Sequence, residues 1–194
     1  MPPRDPRGSS IDVASAHRTV SGMTEHPATA SPGRPTAYSR VTLSKIMTAV
    51  DVNLYGTVHG GVLMKFVDDV AAAAAARHSG GTAVTAAIDE IVFSEAVRVG
   101  DLVHAYAQVN WAGQTSMEVG VRVTAERWDS AEGDPVRVAT AYLAFVGVDV
   151  GGSPRMVPPV VPESAGDQRR YREAEIRRAH RLARRRAIQA HRGG

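Results

Sequence analysis

The residues with chemical potential gather between positions 53 and 69. His59-Gly60-Gly61 leads into V-L-M-K-F-V-D-D-V, where two adjacent acids, Asp68 and Asp69, interrupt an apolar run. The first turn of a helix presents N–H groups without intrahelical acceptors and carries a partial positive charge. Two glycines there remove the side chains that would keep a ligand from those donors, so a carbonyl oxygen gaining negative charge would be stabilised at Gly60 and Gly61. Alternatively, the glycines only let the helix pack closely against a sheet, and a lone Gly-Gly does not separate the two readings.

The two acids separate on helical spacing. Asp69 follows Lys65 by four residues, the geometry of a surface ion pair. Asp68 shares a face with Met64, Ala71 and Ala72 and, a turn further back, with Gly61. A carboxylate in such company loses hydration, which raises its pKa above about 3.9 and makes it a better base near neutrality. The bland alternative is a bond to a backbone group or to a partner subunit. Asn53, in D-V-N-L-Y-G, fits an Asx turn equally as well as an amide that holds a water or a substrate carbonyl. His59, His78 and His104 show no metal-ligand spacing, so no metal site is expected. No G-x-S-x-G, phosphate-binding loop or H-E-x-x-H is present.

The elements that must position these residues are legible in the periodicity. After RVTLSKIM (40–47), a short imperfect strand, Val62, Leu63, Phe66, Val67 and Val70 recur at spacings of three and four and run into six alanines. His78-Ser79-Gly80-Gly81 ends this helix. Four strand-like segments follow, at 82–93, 101–111, 114–128 and 135–149, joined by turn-like R-V-G-D, A-G-Q and S-A-E-G-D-P. In the third, Met117, Val119, Val121 and Val123 alternate with Glu118, Gly120, Arg122 and Thr124, which predicts one buried and one wetter face. An α+β fold is expected, with one long helix covering a curved antiparallel sheet of about five strands.

Composition bounds the rest. A chain of 194 residues, 43% hydrophobic, can bury one real core, and with no cysteine it has neither a disulfide framework nor a thiolate nucleophile. Residues 1–38 hold six of the eleven prolines and no apolar period, which predicts a disordered leader before a domain at 39–150. Residues 151–166 read as a Pro/Gly linker. From 167 to 194 a basic helix is predicted, with ten arginines against three acids and a thin apolar stripe of Tyr171, Ile176, Leu182, Ala183 and Ile188. This tail carries +7 of a total +3, so the remainder is −4 and gives no reason to expect nucleic acid; a nucleic-acid role for the tail alone would show as steeply salt-dependent binding. No apolar segment reaches the roughly 18 residues of a membrane span, so a cytoplasmic protein without a membrane partner is expected.

At the level of motifs the chain resembles a known family. N-L-Y-G-T-V-H-G-G-V-L-M-K-F-V-D-D-V-A, then A-A-R-H, V-T-A-A-I-D-E-I-V-F, V-G-D and T-S-M-E-V, covering about residues 40 to 149, are similar to the cytosolic, brain-type acyl-CoA hydrolases and their bacterial relatives. The resemblance implies the hot-dog fold, a sheet wrapped around one long helix, and hydrolysis of an acyl-CoA to a fatty acid and CoA without a cofactor. In the two-repeat animal enzymes an Asn of one repeat and an Asp of the other form the catalytic pair; the matching positions here are Asn53 and Asp68. The resemblance thereby implies a homodimer at minimum, with hexamers as the larger assembly, and Asn53 of one subunit facing Asp68 of the other. It assigns Asp68 as general base or nucleophile, His59, Gly60 and Gly61 to the oxyanion and substrate, and Ser116 to the CoA arm. A non-catalytic acyl-CoA-binding protein of the same fold is the alternative; an enoyl-CoA hydratase would need an Asp–His pair at the helix entrance that this sequence lacks.

Overall fold

A computed structural model describes residues 32–127 and 133–192, so most of the expected leader lies outside the described residues. Helix α1 spans Gly60–Ser79 and ends where Gly80 turns left-handed (φ 70°), its N–H donating to the Ala76 carbonyl at 3.0 Å. Leu63, Val67, Val70, Ala71, Ala74 and Ala75 are buried on one face. Larger side chains fill the first half of that face and alanines the second, so the sheet can close tightly over the helix's C-terminal turns. Each of the larger side chains contributes about 1.5–3 kcal/mol by leaving water.

Around α1 wraps an antiparallel sheet of β2 (Val41–Ile46), β3 (Ala83–Phe93), β4 (Asp101–Ala112), β5 (Ser116–Arg127) and β6 (Val136–Gly147), in the order β2-β4-β5-β6-β3. Met117, Val119, Val121 and Val123 face the helix with no more than 2% exposure each. This is the expected architecture, a single helix under a five-stranded sheet. Among the described residues strand β3 pairs only with β6, which leaves its other edge open there.

The sheet's other face departs from expectation. Glu118, predicted to be wet, is 2% exposed because the tail does not stand free. It forms α2 (Ala165–Arg192), which lies on the outer face of the sheet. Arg177 makes two hydrogen bonds to Glu118, at 2.7 and 3.1 Å, and its guanidinium lies 3.6 Å from the centre of the Tyr142 ring. Arg181 pairs with Asp89, and Ala174 is fully buried. The predicted apolar stripe docks only in part: Tyr171 packs against the core, whereas Ile176 and Ile188 are exposed, and Ala174 with the Arg177 and Arg181 pairs supplies further contact.

Two segments expected to be irregular are packed. Val157 and Val160 of the linker are buried, and β7 (Val160–Val161) pairs in parallel with β1 (Arg34–Pro35). Residues 34–38, assigned to the leader, form that strand and, with Ser39, a 3₁₀ turn, with Thr36 and Ser39 buried and the Ser39 hydroxyl accepting from the Val109 N–H. Both segments strap the C-terminal end of α1. Arg34 donates to the carbonyls of Arg77 and His78, and Arg155 donates to the Ser79 carbonyl and hydroxyl. Cations are favoured at the negative end of a helix and satisfy carbonyls left without helical donors, a tie that composition alone does not show.

Candidate active site

The residues singled out in sequence fall into two groups within one chain. Asn53, His59, Gly60 and Gly61 belong to the loop that enters α1. That loop is folded on itself: the Asn53 N–H donates to the Thr57 carbonyl at 2.8 Å, and the Asn53 side-chain oxygen accepts from the N–H groups of Tyr55 and Thr57. Its amide donates to the Thr57 hydroxyl at 3.0 Å. The Asx-turn reading is therefore realised, and it leaves one amide hydrogen of Asn53 without a partner among the described residues. The His59 N–H donates to the Asp51 carbonyl at 2.8 Å, anchoring the helix entrance to a carboxylate-bearing turn. In that turn the hydrogen bond from Lys45, reinforced by the Thr48 N–H, holds the Asp51 carboxyl below the usual range against the opposing effect of burial.

At the entrance itself, His59 caps α1. Its Nδ1 accepts from the Gly61 N–H at 2.9 Å, so the donor expected to face an oxyanion is occupied by an exposed imidazole. The Gly60 N–H has no acceptor among the described residues. A Cβ built on Gly60 would meet nothing nearer than Phe93 Cζ at 4.0 Å, so close packing within the chain does not explain this glycine. At Gly61 the same atom would press on the His59 ring at 3.1 Å. The space in front of the helix terminus is open to a ligand or to another chain.

The second group lies two turns along the helix. Asp68 is half-buried rather than enclosed, and its Oδ1 accepts from the Thr85 hydroxyl at 2.7 Å. Thr85 sits on β3, so the carboxylate is held between α1 and the open edge of the sheet. Sequence reading missed Thr85; the signal available was a polar residue amid the apolar start of a strand beside the helix. Asp69 pairs with Lys65 at 2.6 Å in solvent, as its spacing predicted. Ser116 stands apart from both groups. By strand alternation from Met117 it faces away from α1, on the side that α2 covers.

Seven residues separate Gly61 from Asp68, about 10 Å along a helix axis. Within the chain the donor group at the helix entrance and the carboxylate at the β3 edge therefore form two separate groups.

A helix entered through Gly-Gly and clasped by five antiparallel strands, with a carboxylate on the helix, defines a hot-dog protein. The Thioesterase superfamily matches residues 55–129. An uncharacterized acyl-CoA thioester hydrolase of Bacillus subtilis, YkhA, is 36% identical over 78% of this chain and 87% of its own. The chain belongs to this family of acyl-CoA thioester hydrolases within the Thioesterase superfamily. The mouse cytosolic acyl coenzyme A thioester hydrolase is 34% identical over 73% of the chain, which spans only 37% of that longer relative. Among solved structures, an acyl-CoA hydrolase of Staphylococcus aureus in complex with coenzyme A superposes with a TM-score of 0.77, at 32% identity over 82% of this chain and 94% of that one. It has been solved as three variants, in which an asparagine, an aspartate or a threonine is replaced by alanine. An apo-hexameric acyl-CoA thioesterase superposes with a TM-score of 0.75, at 33% identity over 79% of this chain and 97% of that one.

Proposed function

We propose that the chain hydrolyses acyl-CoA thioesters in the cytoplasm, in a site completed by two subunits, with Asp68 and Thr85 from one and Asn53 and the α1 entrance from the other. The observation that carries this reading is the Thr85–Asp68 hydrogen bond, read with the Staphylococcus variants. There the substituted asparagine precedes the aspartate by 15 residues and the threonine follows it by 17, the spacings that separate Asn53, Asp68 and Thr85. The open β3 edge, with Ile88, Val92 and Phe93 half-exposed, and the fully exposed Leu54 and Tyr55 beside Asn53 are apolar surfaces suited to a partner.

The chemistry follows from where the groups stand. A thioester expels a thiolate whose conjugate acid has a pKa of about 8.5, so departure needs little acid assistance. Thr85 fixes one oxygen of Asp68 and leaves the other to take a proton from water, or to attack the carbonyl and form an anhydride that water then opens. The free amide hydrogen of Asn53 orients the water or the thioester oxygen. The Gly60 N–H, joined by that of Gly61 once the His59 ring turns aside, receives the oxyanion. No cofactor enters any step.

The test is thiol release, followed with a disulfide reagent over a series of acyl-chain lengths. Wild-type chain releases CoA; Asp68→Asn loses about 100-fold or more of kcat with its oligomeric state unchanged. Full turnover in that variant removes Asp68 from the mechanism. Saturable acyl-CoA binding without thiol release from the wild type would mark a binding protein.

A further inference from the structure

Between the outer face of the sheet and the first turns of α2 lies a half-open cavity of about 510 Å³. Arg40, Arg122 and Arg137 reach it from the sheet side, Arg169 and Arg170 from α2, and Glu173 is the only acid in its wall. Asp167 and Glu173 are the carboxylates paired with these arginines. Asp167 takes Arg170 at 2.6 Å and Arg40 at 3.6 Å, and Glu173 takes Arg169 at 3.6 Å. Arg122 stacks on Tyr106, 4.8 Å from its centre, and neither it nor Arg137 has a carboxylate partner among the described residues. The five arginines and two carboxylates leave the group at +3.

Guanidinium groups gathered in a recess repel one another more than they would in open water, and their fork of donors matches phosphate oxygens. We propose that this cavity binds a phosphate-bearing small molecule, at a site on the opposite face of the sheet from α1 and from Asn53, His59, Gly60 and Asp68. The anion bridges Arg122 and Arg137 of the sheet to Arg169 and Arg170 of α2 and so holds the helix down. The polar side chains of Gln108 and Thr140 in the wall suit the remaining oxygens. This site does not depend on the hydrolase reading, because the arginines are placed by the fold alone.

Calorimetric titration of the full chain with inorganic pyrophosphate and with ATP, in about 150 mM salt to screen non-specific attraction, tests the proposal. Saturable binding is expected, together with a rise in melting temperature. Arg137→Gln, which removes an exposed side chain without a carboxylate partner and so spares the fold, weakens pyrophosphate binding about tenfold, and Arg122→Gln with Arg137→Gln abolishes it. Arg185→Gln with Arg186→Gln, on the exposed distal half of α2, leaves the affinity within about twofold. Equal binding of pyrophosphate and ATP identifies the phosphates as what is recognised, and tighter binding of ATP adds its nucleoside; either supports the site. Absence of saturable binding, undiminished binding in the Arg122/Arg137 double variant, or equal losses from the distal pair would overturn it. A KM for acyl-CoA that rises in Arg137→Gln in step with the pyrophosphate Kd would also overturn it, since the cavity would then serve the substrate and not a separate ligand.

Discussion

Asp69 and Lys65 pair where both side chains are exposed, and such helix pairs contribute only about 0.3–0.5 kcal/mol. Asp69→Ala should therefore leave thiol release within twofold of wild type and the urea midpoint nearly unmoved. Asp68, one residue away, has Thr85 as its partner and no nearby cation to neutralise it among its described contacts. Thr85→Val keeps the shape of the side chain and removes the hydroxyl; kcat should fall about tenfold with little loss of stability. Unchanged kcat in this variant would mean that the hydroxyl neither orients the carboxylate nor meets substrate. His78 supplies a pH prediction. It is fully buried at the strapped end of α1, its Nε2–H donates to the Pro158 carbonyl, and Nδ1 has no partner among the described residues. Burial, with Arg34 adding to it, lowers its pKa below the ordinary 6.5 despite that hydrogen bond. The unfolded chain then binds the proton more readily, so stability is intact above about pH 6.5 and falls as the pH drops below it toward the depressed native value. Urea midpoints between pH 7.5 and 5 check this, and His78→Gln should flatten the acid limb.

At the scale of elements, helix α1 and the sheet were readable because each pattern has its own period and its own punctuation. Spacings of three and four gave way at Gly80, and strict alternation ran from Met117 to Val123. Helix α2 was legible as a helix but not as a docked one. Of its predicted stripe, Tyr171 packs on the core while Ile176 and Ile188 face solvent, and the Arg177–Glu118 pair that helps bind it joins residues 59 apart and leaves no local signature. The consequence is energetic. Glu118 is 2% exposed, and Arg177→Ala would leave its carboxylate buried without a counter-charge, a loss of about 3 kcal/mol. The urea midpoint measures it, and the double variant Arg177→Ala with Glu118→Ala should recover much of the loss. An additive outcome would show that the pair does not hold α2. The straps at 34–38 and 154–161 were misread for a related reason. Their prolines, and the glycines just before them, signal irregular backbone, yet Arg34 and Arg155 fasten that backbone to the end of α1.

At the scale of the whole molecule, the proposed pairing of Asn53 and Asp68 across subunits is open to a complementation experiment. If Asn53 of one subunit meets Asp68 of the other, a mixed dimer of Asn53→Ala and Asp68→Asn chains contains one site with both residues intact and one with neither. Random reassociation of the two inactive variants should then restore about a quarter of the wild-type sites, read as thiol release after denaturation and joint refolding. No recovery would place both residues in the same chain's site. Ile88→Glu on the open β3 edge should reduce sedimentation coefficient and turnover together, because the edge then carries a charge where a partner strand would lie.

The sequence by itself determined the hot-dog order of elements, the helix that begins at Gly60, the difference between Asp68 and Asp69, and the family. These depend on residues close together along the chain, where spacing translates directly into a shared face. Tertiary structure alone decided that Thr85 holds Asp68, that His59 occupies the Gly61 N–H, that Asn53 closes its own turn, and that α2 covers Glu118. These are contacts between hydrogen-bonding groups with more than one available partner, and only the folded chain selects among them.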